Sequence, residues 1–235
     1  MMAEGRSGRP GRRAGLTRGQ ILAAALAIID QGGVESLSMR RLGQALDRNP
    51  MAIYRHAADK DALLDGVVEQ VVAEIAVPRD PDGDWETGLR AIANAFRRVA
   101  LAHPNVVPLL AIRPLAGPLA LQPTGLLRLL EDLLDLFMTA GFDRHGALHA
   151  ARLFTGFLYG HILNELQEFV VDPEENEVLL RLGLHRLPAK EFPRLRALAP
   201  ALADYEGSAE LNQGLSILLS GLEAQLSLQD AKPTG

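Results

Sequence analysis

The chain contains no cysteine, which excludes a disulfide framework, a thiolate metal site and a cysteine nucleophile, and makes a reducing compartment the simple expectation. No apolar run approaches the length of a membrane span, and the Arg- and Gly-rich stretch from Met1 to Gly15 lacks the apolar segment of a secretory signal. The expectation is a soluble, cytoplasmic protein with no membrane partner. Strand-like alternation of useful length is missing, as is any internal repeat. No nucleophile motif, phosphate loop or paired set of metal ligands occurs, so a helical hydrolase or transferase is disfavoured; no catalytic residue and no cofactor is assigned.

What is present is enough apolar material for a substantial core: 235 residues, 48% of them hydrophobic. Net charge is −5, which at first argues against a nucleic-acid partner, because phosphate contacts need Lys and Arg. The average hides an asymmetry. Residues 1–60 hold ten Lys and Arg against five acids, a net +5, so the remainder carries −10. A basic end on an acidic body fits a DNA-binding domain, and a basic head alone also fits a tail that touches membranes or RNA.

The first sixteen residues have no periodicity and are read as a disordered basic arm. Thr17 and Gln20 then form a capping box ahead of Ile21, Leu22, Ala25, Leu26, Ile28 and Ile29 at helical spacing, and Gly32-Gly33 stops that helix. Ser38 caps a short second helix, Met39 to Leu46, whose inward face is predicted to be Leu42, Ala45 and Leu46. Asn49 with Pro50 opens a third helix, predicted to reach His56, since Pro at the first helical position gives up an amide that would be unpaired anyway. Asp59 caps a fourth helix with a stripe of Leu63, Val67, Val71, Val72 and Ile75. A Pro- and Asp-rich linker, Pro78 to Asp84, follows.

Beyond Trp85, helical patterns cover about 85–102, 104–111, 123–140, 144–169 and 206–228, with prolines chopping the middle into short pieces and the stretch 171–203 reading as loosely ordered. The fold class is therefore all-α, divided as a basic arm (1–16), a helix-turn-helix domain (17–62) and a larger helical domain (63–235).

Two short helices across a tight interruption are common in helical proteins; the letters are more specific. The block from Leu16 to Val71, and above all Ile53-Tyr54-Arg55-His56 with Asp59-Lys60-Asp61-Ala62-Leu63-Leu64, resembles the N-terminal domain of the TetR family of transcriptional repressors. The resemblance implies that Leu37, Leu42, Leu46 and Ile53 are core and that Ser38, Arg40, Pro50, Ala52, Tyr54, His56 and Lys60 meet double-stranded operator DNA. Met51 and Arg55 join that list as exposed neighbours. Asp47 stands where the family usually has Gly in the turn, and Asp tolerates a left-handed backbone better than most residues. Arg40 is long enough to pair bidentately with guanine, whereas Met51 and Ala52 have no donors and can only meet thymine methyls or shape. Tyr54, His56 and Lys60 suit phosphate contacts, which position a domain without discriminating sequences.

Trp85 to Leu166 and Leu211 to Leu226 are similar to the C-terminal domain of the tetracycline-repressor branch, through Asp84-Trp85, Phe96, Arg113-Pro114, Ala140-Gly141-Phe142 and Gly221-Leu222-Glu223. That resemblance implies a pocket for a small-molecule inducer. Where the branch has a magnesium-holding histidine this chain has Leu109, and where it has a drug-contacting Asn this chain has Ile92. Tetracycline recognition and a metal are therefore not expected. Phe96, Leu109, Phe154 and Leu158 are expected as walls, with Arg113 as polar anchor beside Pro114. His145 with His149, and His161 with Glu165, have metal-compatible spacing, but satisfied or exposed histidines are the expected reading and no metal is assigned. The helices near 144–169 and 206–228 resemble the family's four-helix dimer interface, with Gly156, Gly160, Gly214 and Gly221 allowing close approach and Leu215, Leu218, Leu219 and Leu222 supplying apolar area. A homodimer would set two recognition helices roughly 34–36 Å, or a multiple of that, apart on a palindromic site.

Overall fold

The structure is a computed structural model and describes residues 16–75, 84–112, 118–168, 187–198, 200–201 and 205–230. Among them there are helices and turns but no strand. The basic arm, the linker except Asp84, and most of 171–203 lie outside the described residues. The chain divides into two compact units, Met1–Val67 and Val68–Gly235, with the division falling inside a continuous helix.

In the first unit, α1 (Arg18–Gly32) opens on the expected box: the Gln20 amide donates to Thr17 Oγ1 at 3.3 Å and the Thr17 amide to Gln20 Oε1 at 3.0 Å. It ends where Gly33 takes a positive φ of 74°, a conformation that costs glycine little. A single 3₁₀ turn, Val34–Ser36, leads to α2 (Met39–Ala45), capped by Ser38, which accepts from the Arg41 amide. The α2 inner face is Leu42 and Gly43, with Leu46 half-buried; Ala45, expected inside, is exposed. At 100° per residue a face centred on positions 42, 43 and 46 leaves position 45 on its outer flank.

The turn into α3 (Pro50–Ile53) places Asp47 at φ 50°, the left-handed conformation that its replacement of glycine required. Asn49 caps α3 by accepting from the Met51 amide at 2.9 Å. The regular helix stops at Ile53, shorter than the expected reach to His56. Tyr54, Arg55 and His56 continue as turns, because the amides of His56 and Ala57 both converge on the Ile53 carbonyl. Asp59 then caps α4 (Lys60–Val72), accepting from the Ala62 amide at 2.8 Å. Two glycines set the spacing here. A Cβ on Gly43 would stand 2.9 Å from the Arg48 carbonyl oxygen and 3.3 Å from the Pro50 ring, and one on Gly66 would stand 2.5 Å from Leu22 Cδ2 on α1.

The second unit is built from α5 (Trp85–Ala102), α6 (Val107–Ile112), α7 (Thr124–Thr139), α8 (Arg144–Glu168), the short α9 (Pro193–Ala197) and α10 (Gly207–Asp230). The fifth helix packs against α7, α8 and α10, and the buried side chains include Leu89, Ile92, Phe96 and Val99 of α5, Leu133 and Phe137 of α7, Phe154, Leu158 and Ile162 of α8, and Leu211, Leu215, Leu219 and Leu222 of α10. Trp85, Phe137 and Phe142 gather with centroids 5.6–6.2 Å apart, pinning the start of α5 to the α7–α8 turn. Burial corrects part of the expectation for the dimer face. Leu215, Leu219 and Leu222 lie inside the chain's own core, and Gly214 accommodates Phe157 of α8, whose Cζ would be 2.6 Å from an added Cβ. Gly156, Gly160 and Gly221 do have open space around them, and Ile217 and Leu228 are exposed on α10.

Candidate functional site

In the first unit the residues singled out from the sequence fall on α2, α3 and the turns that flank them. Ser38, Arg40, Met51, Tyr54, Arg55 and His56 are exposed; Pro50, Ala52 and Lys60 are half-buried. Met51 is 68% exposed and Tyr54 45% exposed, so both side chains are open to solvent on this surface. Ile53 between them is fully buried. That alternation aims the first turn of α3 outward while anchoring its end. Lys60 lies 3.8 Å from Glu35 in a solvent-exposed pair of little energetic weight. The exposed Arg40, Arg41 and Arg55 give this surface positive character.

In the second unit a cavity of about 450 Å³ opens between α5, α7 and α8. Of the expected walls, Phe96, Phe154 and Leu158 line it, and Ile92 lines it as well. Leu109 does not: it is half-buried on α6, and the residue that α6 turns into the core is its neighbour Leu110. Arg113 and Pro114 lie outside the described residues. Sequence reasoning missed the α7 wall, Leu126, Leu127, Leu130 and Leu133, together with Tyr159. A leucine repeat on α7 carries no mark separating a cavity wall from plain core. The polar groups on the wall are few: Gln122, Arg152, Thr155 and Tyr159. Thr155 donates its hydroxyl to the Ala151 carbonyl of its own helix at 2.8 Å, whereas Tyr159 donates across to the Leu110 carbonyl on α6 at 3.0 Å. Burial pushes the Tyr159 phenol up to about 12.

The His161–Glu165 spacing is taken by an arginine. Glu165 is wholly buried and accepts Nε of Arg97 at 3.0 and 3.1 Å and Nη2 at 2.5 Å. The carboxylate hydrogen bond to Arg97, opposed in part by burial, holds the guanidinium above its ordinary range. His161 Nε2 lies 3.6 Å from Glu165 and 3.1 Å from the Gly207 carbonyl. Gly207 is pressed against the Glu165 carboxylate, where a Cβ has no room. Among the described residues no group of three or more His, Asp or Glu is placed to hold a metal ion, and no helix is long and apolar enough to cross a membrane.

A capped helix-turn-helix with its second helix facing solvent, carried by an otherwise helical chain with an apolar cavity, defines a DNA-binding regulator of the helix-turn-helix class. Residues 21–67 match the family described as bacterial regulatory proteins, tetR family, and residues 77–226 match the tetracyclin repressor-like C-terminal domain. The chain belongs to the TetR family of transcriptional regulators. It is similar to an HTH-type transcriptional regulator of Saccharopolyspora erythraea, 30% identical over 217 residues that cover 91% of this chain and 87% of the relative. It is also similar to the class C tetracycline repressor of Escherichia coli, 29% identical over 213 residues covering 88% and 91%. Among solved structures, ActR of Streptomyces coelicolor in complex with actinorhodin aligns with a TM-score of 0.72 at 29% identity, covering 91% of this chain and 99% of that one. The family and both relatives are regulators of transcription, not enzymes.

Proposed function

We propose that this protein is a ligand-responsive repressor that binds a palindromic operator as a homodimer and is released by a small, mainly hydrophobic inducer seated in the α5–α7–α8 cavity. The observation that carries the reading is the division of labour: the outward α2–α3 surface is basic and the cavity in the other unit is almost wholly apolar. Arg40 reads a base, Met51 and Ala52 touch thymine methyls or groove shape, and Ser38, Pro50, Tyr54, Arg55, His56 and Lys60 line the phosphate side. Phe96, Phe154 and Leu158 hold the inducer's apolar faces. The domain scheme of a basic arm to residue 16, a DNA-binding domain to 62 and a ligand-binding and dimerisation domain beyond it belongs to the same reading, as does a cytoplasmic location beside the DNA. That ActR was solved with actinorhodin bound supports an organic occupant for this cavity.

Dimerisation uses the exposed parts of α8 and α10, around Gly156, Gly160, Gly221 and Ile217, which are not consumed by the chain's own core. A ligand that changes the tilt of α4 changes the spacing of two recognition helices and misfits them to successive major grooves. By linkage, operator DNA then weakens ligand binding by the same factor. The reading is tested by selecting duplexes from a random pool and titrating the winner at two salt concentrations. A palindrome bound by two chains, with affinity falling steeply in salt, is expected. A chain that stays monomeric at micromolar concentration, or selects no duplex, overturns it.

A further inference from the structure

The Tyr159 side chain does two things at once: its ring is part of the cavity wall, and its hydroxyl holds the backbone of a different helix. The ring meets Phe96 edge-on, centroids 5.2 Å apart at 87°, so the two aromatic residues form one patch of wall. The hydroxyl donates to the Leu110 carbonyl at 3.0 Å. This carbonyl has a particular need for that donor. In a continuing α-helix it would accept from the amide four residues on, and that residue is Pro114, which has no amide hydrogen. Leu110 itself is 1% exposed, so water is a poor substitute. The other hydroxyl on the wall, Thr155, gives its hydrogen to the carbonyls of its own helix.

We propose that Tyr159 is the positioning residue through which an occupant of the cavity is felt by α6. This rests on the cavity being the inducer site. An occupant that pushes the ring or competes for the hydroxyl must move the Leu110 carbonyl with it or break this hydrogen bond. Either response shifts α6 rather than the cavity wall alone. Tyr159→Phe keeps the ring, and with it the contact to Phe96, but cuts the tie to α6.

The probe is 1-anilinonaphthalene-8-sulfonate, an apolar fused-ring dye, with the selected operator duplex as second ligand. The quantity read is the coupling factor, the ratio of dye affinities with and without DNA, which does not depend on how tightly the dye binds either protein. We expect Tyr159→Phe to lower that factor by about fivefold, to near unity. Hydrogen exchange supplies an independent measure: dye should alter exchange of the Leu109, Leu110, Ala111 and Ile112 amides by about threefold or more in the wild type and leave them unchanged in Tyr159→Phe. Equal coupling in the two proteins, with equal exchange responses, overturns the role of Tyr159 while leaving the cavity reading intact. Dye that fails to bind the wild type, or that binds Leu130→Trp as well as wild type, shows instead that the cavity is not the site and removes both.

Discussion

Gly43 and Arg48 are locked together across the turn of the helix-turn-helix: the Arg48 amide donates to the Gly43 carbonyl at 2.9 Å, and the Arg48 carbonyl oxygen occupies the place where a Gly43 Cβ would sit, 2.9 Å away. The obstruction is backbone, with the Pro50 ring beside it, so it cannot swing aside. Gly43→Ala is expected to cost about 1–3 kcal/mol and to weaken DNA binding in proportion. Gly66→Ala also meets a neighbour, but the neighbour is the flexible end of Leu22, and its cost should be clearly smaller. Thermal melts of the two variants side by side check the ordering.

Arg40→Ala and Lys60→Ala should separate base reading from phosphate positioning. Both side chains reach solvent, but Arg40 is exposed on α2 whereas Lys60 opens α4 beside Glu35. Loss of Arg40 is expected to cost on the order of 1–3 kcal/mol on the selected duplex and to relax specificity, whereas loss of Lys60 should weaken all sequences alike and lower the salt slope by about one. Binding to specific and scrambled duplexes at several salt concentrations decides the matter; equal loss on both for Arg40→Ala removes it from base reading.

Removing Arg97 should be more damaging than removing the pair. Arg97→Met leaves the wholly buried Glu165 carboxylate without its bidentate partner, at a cost of about 3–5 kcal/mol. Adding Glu165→Leu removes the stranded charge and should recover most of that loss. Chemical denaturation of the wild type, the single and the double variant measures the difference.

Alkaline pH should weaken the fold through Tyr159. Its phenol is pushed up to about 12, so between pH 10 and 12 the folded chain keeps a proton that the unfolded chain releases. This contribution to stability is intact below about pH 10 and declines as pH rises toward 12, by roughly 2 kcal/mol in all. Tyr159→Phe should lack this part of the decline. Denaturation midpoints for both proteins across that window, at fixed ionic strength, test it.

Features that depend on a few neighbouring residues were legible in the sequence. Thr17, Ser38, Asn49 and Asp59 all cap where their spacing said they would, because a cap is decided within three residues. Asp47 likewise takes the left-handed turn that glycine usually fills. What escaped notice depends on partners far along the chain. Gly66 is explained by Leu22 on α1, and the burial of Glu165 by Arg97, 68 residues earlier. The α10 leucines read equally well as a dimer face or as core until burial separates Ile217 from Leu215 and Leu219. Leu109 and Leu130 are the same residue type at helical spacing, and only the packing of α7 on α8 puts the second of them at the cavity. The third helix was over-extended because the convergence of two amides on one carbonyl has no sequence signature.

The openness of Met51 bears on how this regulator diversifies. A residue that projects from the first turn of α3 and supports no core neighbour can be exchanged without endangering the fold. On the proposed reading, single changes there to Gln, Asn or Arg would bring hydrogen-bonding groups to the groove where the present side chain has none. Operator preference would then change independently of thermostability.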